Sequence, residues 1–404
     1  MAIQLFVPKF RVDECLEAIR ECLEKGWTGM GFKTETMESD WKAYTGLPHA
    51  HFLSSNTVGL HLAVELFKKK HGWADDDEVI TTPLTFVSSN HAILYAGMKP
   101  VFADIDQYLC LDPQSVERRI TSKTRAVLFV GIGGNTGQYE KIAELCRQHG
   151  LKLILDAAHM AGSRLNGQHV GQDADCTVFS FQAVKNLPTA DSGMICFREQ
   201  EDDARVRKLT WLGINKDTYA RTAAQGAYKW MYDVEELGYK YHGNSIMAAI
   251  GIVQLKYLDQ DNAYRRQVAS WYREGLAGQP GIHIVDVAPG CESSTHLLQI
   301  RVKNRDALLT ALNSNEIYPG VHYRDNTEYG LYAFGAGTCP AAKQASEEIM
   351  SLPLHMSLSR ADVDTVCELL IRYTTDGRPA NSLDYAALYD TPAPLDNHSA
   401  KIIV

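Results

Sequence analysis

The most distinctive placements in this sequence belong to a carboxylate and a lysine, Asp156 and Lys185. Asp156 directly follows the largely apolar segment 151–155, and Lys185 lies in a loop after the apolar segment 176–181. A lysine that burial allows to lose its proton can form a Schiff base with a carbonyl compound. A carboxylate nearby can pair with a protonated ring nitrogen and keep an aromatic cofactor electron-withdrawing. Taken singly, each residue has an ordinary alternative role, as a helix-capping acid or an exposed loop lysine.

Small polar residues that could bind an anion lie at two other places. Asn56, Thr57 and Val58 lie in "SSNTVGL", where a helix is predicted to begin, and Ser180 precedes Lys185 at the end of an apolar segment. Free backbone N–H groups at a helix N-terminus, together with a hydroxyl group, form a site for phosphate. The alternative is that these residues only cap the helix, as Ser, Thr and Asn commonly do.

Two residues with rings follow predicted strands. Phe86 lies in "PLTFVSSN" and could stack on an aromatic cofactor, and His159 lies in "DAAH" and could hydrogen-bond to a phenolic oxygen of that cofactor. The alternative for both is core packing, which is the commoner use of a single Phe or His.

The elements that must position these residues form an alternating pattern from residue 50 to 200. Short apolar strands separated by helices indicate a mostly parallel sheet covered on both faces. Ligands bind beyond the carboxyl ends of such strands. We therefore expect Asp156, Ser180 and the loops after them to meet at one edge of the sheet. Farther along, the apolar segment 245–260 predicts one long helix.

The chain has 404 residues, enough for more than one domain. The α/β pattern predicts a large domain over residues 1–260, whose N-terminal segment packs on a smaller domain. Shorter strands and helices predict that smaller α+β domain over residues 261–375. The stretch 376–404 is rich in Pro and polar residues, which is typical of an arm or tail.

Composition excludes several classes of function. The net charge of -9 argues against a nucleic-acid-binding protein. No stretch approaches the length of a membrane span, and the N-terminus lacks the pattern of a signal peptide, so we expect a cytoplasmic protein with no membrane partner. The nine cysteines form no C-x-x-C pair, so we expect free thiols and no metal site.

Together, and in this order, the motifs resemble the fold-type I pyridoxal-phosphate enzymes of the DegT/DnrJ/EryC1/StrS group, the sugar aminotransferases. The matching stretches lie between residues 7 and 373 and include "GWTGMG", "SSNTVGLHLA", "DAAH", "FSFQAVKNLPTADSGM" and "SLPLH". The resemblance implies an α/β fold with a mostly parallel seven-stranded sheet, in which the large domain binds pyridoxal 5'-phosphate.

The resemblance also implies a role for each of the central residues. Lys185 would hold the cofactor as a Schiff base and then move the substrate proton. Asp156 would pair with the pyridinium nitrogen, and Phe86 would stack on the ring. His159 stands where the family has Gln or His beside the phenolic oxygen.

The remaining implied roles concern the phosphate and the substrate. The phosphate contacts implied by the resemblance are Asn56, Thr57, Val58 and Ser180. His322 and Tyr323, in "GVHY", stand where the small domain of the family approaches substrate.

Some positions depart from the common family pattern. Lys240, in "GYKYHG", replaces the Asn that a partner subunit usually offers to the cofactor phosphate. A lysine can also bind an anion, although its donor geometry differs from that of an amide. Gln182 replaces a frequent His, and "TADSG" replaces the more usual "TGDGG". These changes lie near expected substrate and dimer contacts and suggest a less usual substrate.

The implied activity is transfer of an amino group from an amino acid, by family habit glutamate, to a keto sugar that is usually nucleotide-linked. Pyridoxamine 5'-phosphate would carry the amino group between the two half-reactions, and a homodimer with shared active sites is implied. A keto-cyclitol aminotransferase would share every catalytic residue, and a non-catalytic regulator that binds the cofactor is a further alternative. Lys185 speaks against a sugar dehydratase, in which a His replaces the lysine. The aromatic insert 211–241 suits either substrate stacking or dimer packing.

Overall fold

The computed structural model describes residues 2–215 and 232–375. Two stretches that carry predictions lie outside the described residues: the middle of the aromatic insert, 216–231, and the predicted arm, 376–404. Within the described part, no helix is both long and apolar enough to cross a membrane.

The strands of the described residues are numbered here in chain order. They are β1 (Ile3–Gln4), β2 (His49–Leu53), β3 (Glu78–Thr81), β4 (Lys99–Phe102), β5 (Thr124–Val130), β6 (Lys152–Asp156), β7 (Arg164–Leu165), β8 (Gln168–His169), β9 (Cys176–Ser180), β10 (Gly193–Phe197), β11 (Ile282–Ile284), β12 (Cys291–Glu292), β13 (Leu298–Val302), β14 (Ile317–Tyr318) and β15 (Ile349–Leu352).

The α-helices of the same residues are numbered in the same way. They are α1 (Val12–Glu24), α2 (Phe32–Thr45), α3 (Asn56–His71), α4 (Val87–Tyr95), α5 (Pro113–Arg119), α6 (Tyr139–His149), α7 (Gln200–Leu209), α8 (Ser245–Leu255), α9 (Leu258–Gly275), α10 (Arg305–Asn313), α11 (Pro340–Glu348) and α12 (Arg360–Thr375).

The central sheet has seven strands among the described residues, in the spatial order β2-β10-β9-β6-β5-β3-β4. Only β10 runs antiparallel to its neighbours, and the remaining pairs are parallel. Alternate residues of β5 enter two different cores, with Val127 and Phe129 in one and Ala126 and Leu128 in the other. Both faces are therefore covered, and the predicted mostly parallel α/β sheet is confirmed. Its parallel strands bring Asp156, at the end of β6, to the edge where β9 ends.

The prediction of one helix over 245–260 is wrong, because α8 ends at Leu255 and α9 begins at Leu258. The backbone N–H groups of Lys256 and Tyr257 each donate to a carbonyl three residues back, which tightens the last turn of α8. The Gln254 side chain at this break donates to the backbone of the N-terminal segment at 2.8 Å. The apolar pattern runs on across residues 255–258 and therefore gave no sign of the break.

The C-terminal part is a smaller α+β unit, called here the C-terminal unit. Its antiparallel sheet has the order β11-β13-β15, and α9, α10 and α12 contribute to its core around Tyr272, Ile300 and Leu370. The N-terminal strand β1 pairs in parallel with β14 of this unit. The exact domain boundaries stay a prediction.

A buried ionic network joins α2 to β2 and α7. The carboxylate of Glu38 contacts His51 Nδ1, Phe52 N and Arg207 Nη1, each at 2.9 Å. Burial by itself raises the pKa of Glu38, but the contacts with His51, Arg207 and the Phe52 N–H lower the pKa to about 2. The network is therefore a stabilising one only while Glu38 is ionised.

We expect Glu38→Gln to lower the free energy of unfolding by on the order of 2–3 kcal/mol, because it removes the charge that His51 and Arg207 face. The folded-state pKa lies below the ordinary value of 4.5. The contribution of Glu38 is therefore present above about pH 4.5 and is lost as the pH falls toward about 2. Urea unfolding of the wild type and the variant at pH 7 and pH 3 measures this, with the exposed Asp40→Asn on the same helix as control. An equal loss in both variants, or a loss that does not shrink at pH 3, would contradict the assignment.

Candidate active site

A cavity of about 430 Å³ opens at the carboxyl edge of the central sheet. Asp156 and Ser180 reach it from the ends of β6 and β9, and Lys185 reaches it from the loop between β9 and β10. The predicted site residues that line this cavity are Asn56, Thr57, Phe86, Asp156, His159, Ser180, Lys185, His322 and Tyr323. Residues far apart in sequence thus meet at one place, including two from the C-terminal unit.

Asp156 is 3 % exposed, and hydrogen-bond donors surround its carboxylate. Its Oδ2 accepts from Ser89 Oγ at 2.7 Å, and its Oδ1 accepts from Ala158 N at 3.1 Å and from Asn56 Nδ2 at 3.4 Å. Burial raises the pKa of Asp156, and the Ser89 hydroxyl and the Ala158 N–H act in the opposite direction. The carboxylate is therefore held in one orientation on the cavity wall, with its ionised form supported by donors.

Lys185 is half-buried in the loop between β9 and β10. Its backbone N–H donates to Gln182 O at 2.8 Å, which closes a turn beside the cavity. Burial lowers the pKa of Lys185 to about 8, while the charge of Asp156 acts in the opposite direction. An amine with such a pKa is partly neutral near physiological pH and can act as a nucleophile or a base.

The N-terminus of α3 lies at the same cavity. Ser55 and Thr57 line the cavity there, and Ser180 adds a hydroxyl from the end of β9. The Val58 N–H donates to Ser55 Oγ at 3.4 Å, and the Val58 side chain packs against the core rather than lining the cavity. A helix N-terminus with three nearby hydroxyl-bearing residues, Ser55, Thr57 and Ser180, offers an anion both a dipole and donors.

The Asn56 side chain faces other protein groups. Its Nδ2 donates to Val178 O at 3.0 Å and lies 3.4 Å from Asp156 Oδ1. These contacts support the Asp156 side of the cavity, and contact of Asn56 with a cofactor stays a prediction.

Two aromatic rings form another part of the wall. Phe86 is 58 % exposed although it is apolar, and its ring centroid lies 6.1 Å from that of Tyr323. Burial of such a ring against a flat ligand is favourable, so the exposed face of Phe86 suits a stacking partner.

His159 lies between the sheet and the C-terminal unit, and its hydrogen bonds indicate which nitrogen carries the proton. The Gly133 N–H donates to His159 Nδ1 at 3.1 Å, so Nδ1 must be an acceptor. The proton of the neutral ring therefore sits on Nε2, which lies 3.2 Å from Tyr323 Oη and donates to it. Burial, followed by the charge of Lys185, lowers the pKa of His159, in agreement with a neutral ring. The Tyr323 hydroxyl keeps its own proton for a group in the cavity.

His322 is held from behind, by a hydrogen bond of 2.9 Å between its Nδ1 and Ser351 Oγ. Burial and the charge of Lys185 lower its pKa to about 3, so His322 is a neutral group of the cavity wall. Lys240 lies elsewhere: its Nζ is 3.1 Å from the centre of the Trp211 ring, and it is not part of this cavity lining.

The residues that line the cavity but were missed by sequence reasoning include Ser89, Phe6 and His296. His296 is buried, with its ring 4.3 Å from that of His159 and 5.4 Å from that of Phe6. No local pattern distinguishes these residues, because a serine inside a helix and an apolar residue near the N-terminus are both ordinary. Only the fold brings them to the site.

Comparison with known proteins gives a consistent result over nearly the whole chain. The sequence profile of the DegT/DnrJ/EryC1/StrS aminotransferase family matches residues 11–371. The spore coat polysaccharide biosynthesis protein SpsC of Bacillus subtilis (strain 168) is 34% identical over 367 residues, which cover 88% of this chain and 93% of SpsC.

Solved structures agree in fold. The aminotransferase TlmJ from Streptoalloteichus hindustanus has a TM-score of 0.84 and 33% identity, covering 92% of this chain and 98% of TlmJ. The PMP form of the putative sugar aminotransferase Spr1654 from Streptococcus pneumoniae has a TM-score of 0.83 and 27% identity, covering 92% of this chain and 99% of Spr1654. The protein therefore belongs to the DegT/DnrJ/EryC1/StrS aminotransferase family and is a pyridoxal-phosphate-dependent transaminase of fold type I.

Proposed function

We propose that this enzyme transfers an amino group from glutamate to a nucleotide-linked keto sugar, with pyridoxal 5'-phosphate bound through Lys185 and pyridoxamine 5'-phosphate as its aminated form. The observation that carries this proposal is the convergence of Lys185 and Asp156 on one cavity at the carboxyl edge of the sheet. The names of similar proteins, a polysaccharide biosynthesis protein and a putative sugar aminotransferase, support a sugar as the acceptor.

The residues present fit pyridoxal phosphate. The cavity, at about 430 Å³, lies in the usual range for a small-molecule site. Phe86 offers a ring face, the buried carboxylate of Asp156 suits a pyridinium nitrogen, and the N-terminus of α3 suits a phosphate. The remaining requirement is an amine with a lowered pKa, which Lys185 provides.

When bound, pyridoxal phosphate supplies an electron-withdrawing ring that stabilises the electron pair left on the amino-acid carbon as its α-proton departs. The Asp156 carboxylate keeps the ring nitrogen protonated, because a negative charge in a buried site strongly favours a proton on its neighbour. The free amine of Lys185 would remove the α-proton of the amino donor and would return a proton in the acceptor half-reaction.

Residues of the C-terminal unit act on the substrate side. Tyr323, whose oxygen accepts from His159, has its own hydroxyl proton available for an oxygen of the substrate. His322 is neutral and lies beside it, so both present polar groups without an added charge. This arrangement suits the hydroxyl and carbonyl oxygens of a sugar, which need hydrogen-bond partners when they are buried.

We also propose a cytoplasmic homodimer in which Lys240 of each copy reaches the cofactor phosphate of the other copy. The support is chemical: Lys240 carries a positive charge away from its own cavity, at an aromatic surface next to Trp211. Sedimentation of the full chain should show a dimer. Lys240→Ala should lower the affinity for pyridoxal 5'-phosphate, and a monomer or an unchanged affinity would contradict the proposal.

The substrate proposal is tested in two half-reactions. Glutamate added alone should bleach the visible absorption of the enzyme, since the amino group is stored on the cofactor. A panel of nucleotide-linked keto sugars, free keto sugars and keto-cyclitols is then added, and return of the absorption identifies the acceptor. Steady-state kinetics should be ping-pong.

Each result of this scan has one meaning. Return of the band only with nucleotide-linked keto sugars supports the proposal. Return with free keto sugars overturns the requirement for a nucleotide, and return only with keto-cyclitols overturns the sugar as acceptor; both results leave the enzyme a transaminase. Failure of every amino donor to bleach the band would favour a regulator that binds the cofactor without turnover.

A further inference from the structure

A serine on α4 contacts the carboxylate at the centre of the site. Ser89 is 1 % exposed and lines the cavity, and its Oγ lies 2.7 Å from Asp156 Oδ2, a shorter separation than those of the other two donors to Asp156. A hydrogen bond to an ionised carboxylate is stronger than one between neutral groups. Removing such a donor inside a protein leaves the charge without compensation from water.

The direction of this hydrogen bond follows from its neighbours. An ionised Asp156 can only accept, so the Ser89 proton must point at it. The Ser89 oxygen is then free to accept from Thr85 Oγ1, which lies 2.9 Å away. Thr85 and Ser89 therefore form a short donor chain that ends on the carboxylate, and donors in series strengthen one another.

The turn that carries this chain is fixed by the C-terminal unit. Asn326 Nδ2 donates to Thr85 O at 2.8 Å, and Asn90 Nδ2 on α4 donates to Asn326 Oδ1 at 2.8 Å. All three residues are buried. The segment that follows His322 and Tyr323 thus also holds the segment that carries Ser89.

We propose that Ser89 is a positioning residue, whose hydroxyl keeps Asp156 ionised and aimed into the cavity, with Thr85 and Asn326 holding Ser89 in place. The consequence for the cofactor rests on the proposed function, since it needs Asp156 to face the ring nitrogen. The effect of Ser89 on the ionisation of the carboxyl group itself is independent of the proposed function.

The groups around Asp156 allow the Ser89 hydroxyl to lower the pKa of this carboxyl group. Among the described residues, the titratable groups that interact with it include Lys185, from the loop after β9, and Tyr323, from the C-terminal unit. The elements α3 and α4 contribute only the neutral side chains of Asn56 and Ser89. Burial raises the pKa of Asp156, and among the groups that lower this pKa, Ser89 has the largest effect. Removing the hydroxyl should therefore raise this pKa further.

The test follows the Asp156 carboxyl in the full-length protein, by ¹³C NMR of carboxyl-labelled aspartate, with Asp156→Asn to identify its signal. Ser89→Ala should move the titration upward by about one pH unit. The affinity for pyridoxal phosphate should fall at a correspondingly higher pH, as the carboxyl becomes protonated.

Three further variants separate positioning from packing. Ser89→Thr, which keeps a hydroxyl, should titrate like the wild type. Thr85→Val, which replaces the hydroxyl by a methyl group, should shift the titration upward by less than Ser89→Ala. Ser115→Ala, a buried serine that also loses one hydrogen bond, should leave the titration unmoved.

An unshifted titration in a folded Ser89→Ala protein overturns the proposal. If that variant does not fold, an unshifted titration in Thr85→Val does so. A shifted carboxyl pKa with unchanged pyridoxal phosphate affinity upholds the role of Ser89 and instead contradicts the proposed pairing of Asp156 with the cofactor.

Discussion

Lys185→Ala is expected to lower kcat by at least about 10⁴-fold, because one substitution removes both the covalent anchor of the cofactor and the group that moves the α-proton. The pKa of about 8 for Lys185 places its neutral form within reach at physiological pH. The variant should still bind pyridoxal phosphate, since Phe86, Asp156 and the α3 N-terminus remain. Single-turnover and multiple-turnover rates with glutamate measure the loss.

Lys152→Ala is the matched control for this experiment. Lys152 begins β6, at the opposite end of the strand from Asp156, and pairs with Asp175 at 2.9 Å. A partly exposed pair of this kind contributes little, so activity should stay near the wild-type level. Multiple turnovers by Lys185→Ala at a rate near that of Lys152→Ala would remove the lysine from the mechanism.

Asp156→Asn has the second largest expected effect, a fall in kcat of about 10²–10³-fold. Asparagine keeps the shape and can still accept from Ser89, while its amide nitrogen takes the place of the oxygen that accepts from Ala158 N. The change therefore removes the charge that faces the ring nitrogen with little change in volume. Pre-steady-state rates of the glutamate half-reaction measure this step without interference from the acceptor.

The pH profile gives an independent reading of the same group. Wild-type activity needs the ionised carboxylate and is therefore lost as the pH falls through the pKa of Asp156, which burial raises above its usual value. This acid limb should be absent in Asp156→Asn. Asp175→Asn, at the far edge of the same sheet, should keep both the rate and the limb, and an equal effect in the two variants would contradict the assigned charge.

The sequence carried enough information for the fold class, the family and the central residues of the cavity wall. Apolar strands separated by helices imply a parallel sheet, and a parallel sheet brings the residues after β6 and β9 to one edge. The positions of Asp156, Ser180 and Lys185 at that edge follow from topology alone. Specific motifs then separate this family from other proteins with the same sheet.

Contacts that arise only from tertiary packing could not be predicted from the sequence. Ser89 reaches Asp156 from α4 by a side-chain hydrogen bond between residues 67 positions apart in sequence, and His296 contacts His159 from the C-terminal unit. At the break between α8 and α9, the Gln254 side chain contacts the N-terminal segment. Periodicity describes one element at a time, so none of these was accessible to it.

The protonation of His159 is a further property that only coordinates supply. The motif "DAAH" predicts a ring near the cofactor, but the Gly133 N–H decides which nitrogen accepts. With Nε2 donating to Tyr323, both ring nitrogens are engaged by the protein, and the contact predicted between His159 and a phenolic oxygen stays a prediction.

The central claim is that Lys185 binds pyridoxal phosphate covalently. The most direct test is borohydride reduction of the enzyme that shows the visible absorption of the bound cofactor (the yellow enzyme), followed by mass mapping of its peptides. Reduction converts the covalent link to the cofactor into a stable one and marks the residue that carries it. We expect the label on the peptide containing Lys185. Label on any other lysine, or a yellow enzyme that takes no label, would contradict the site proposed here.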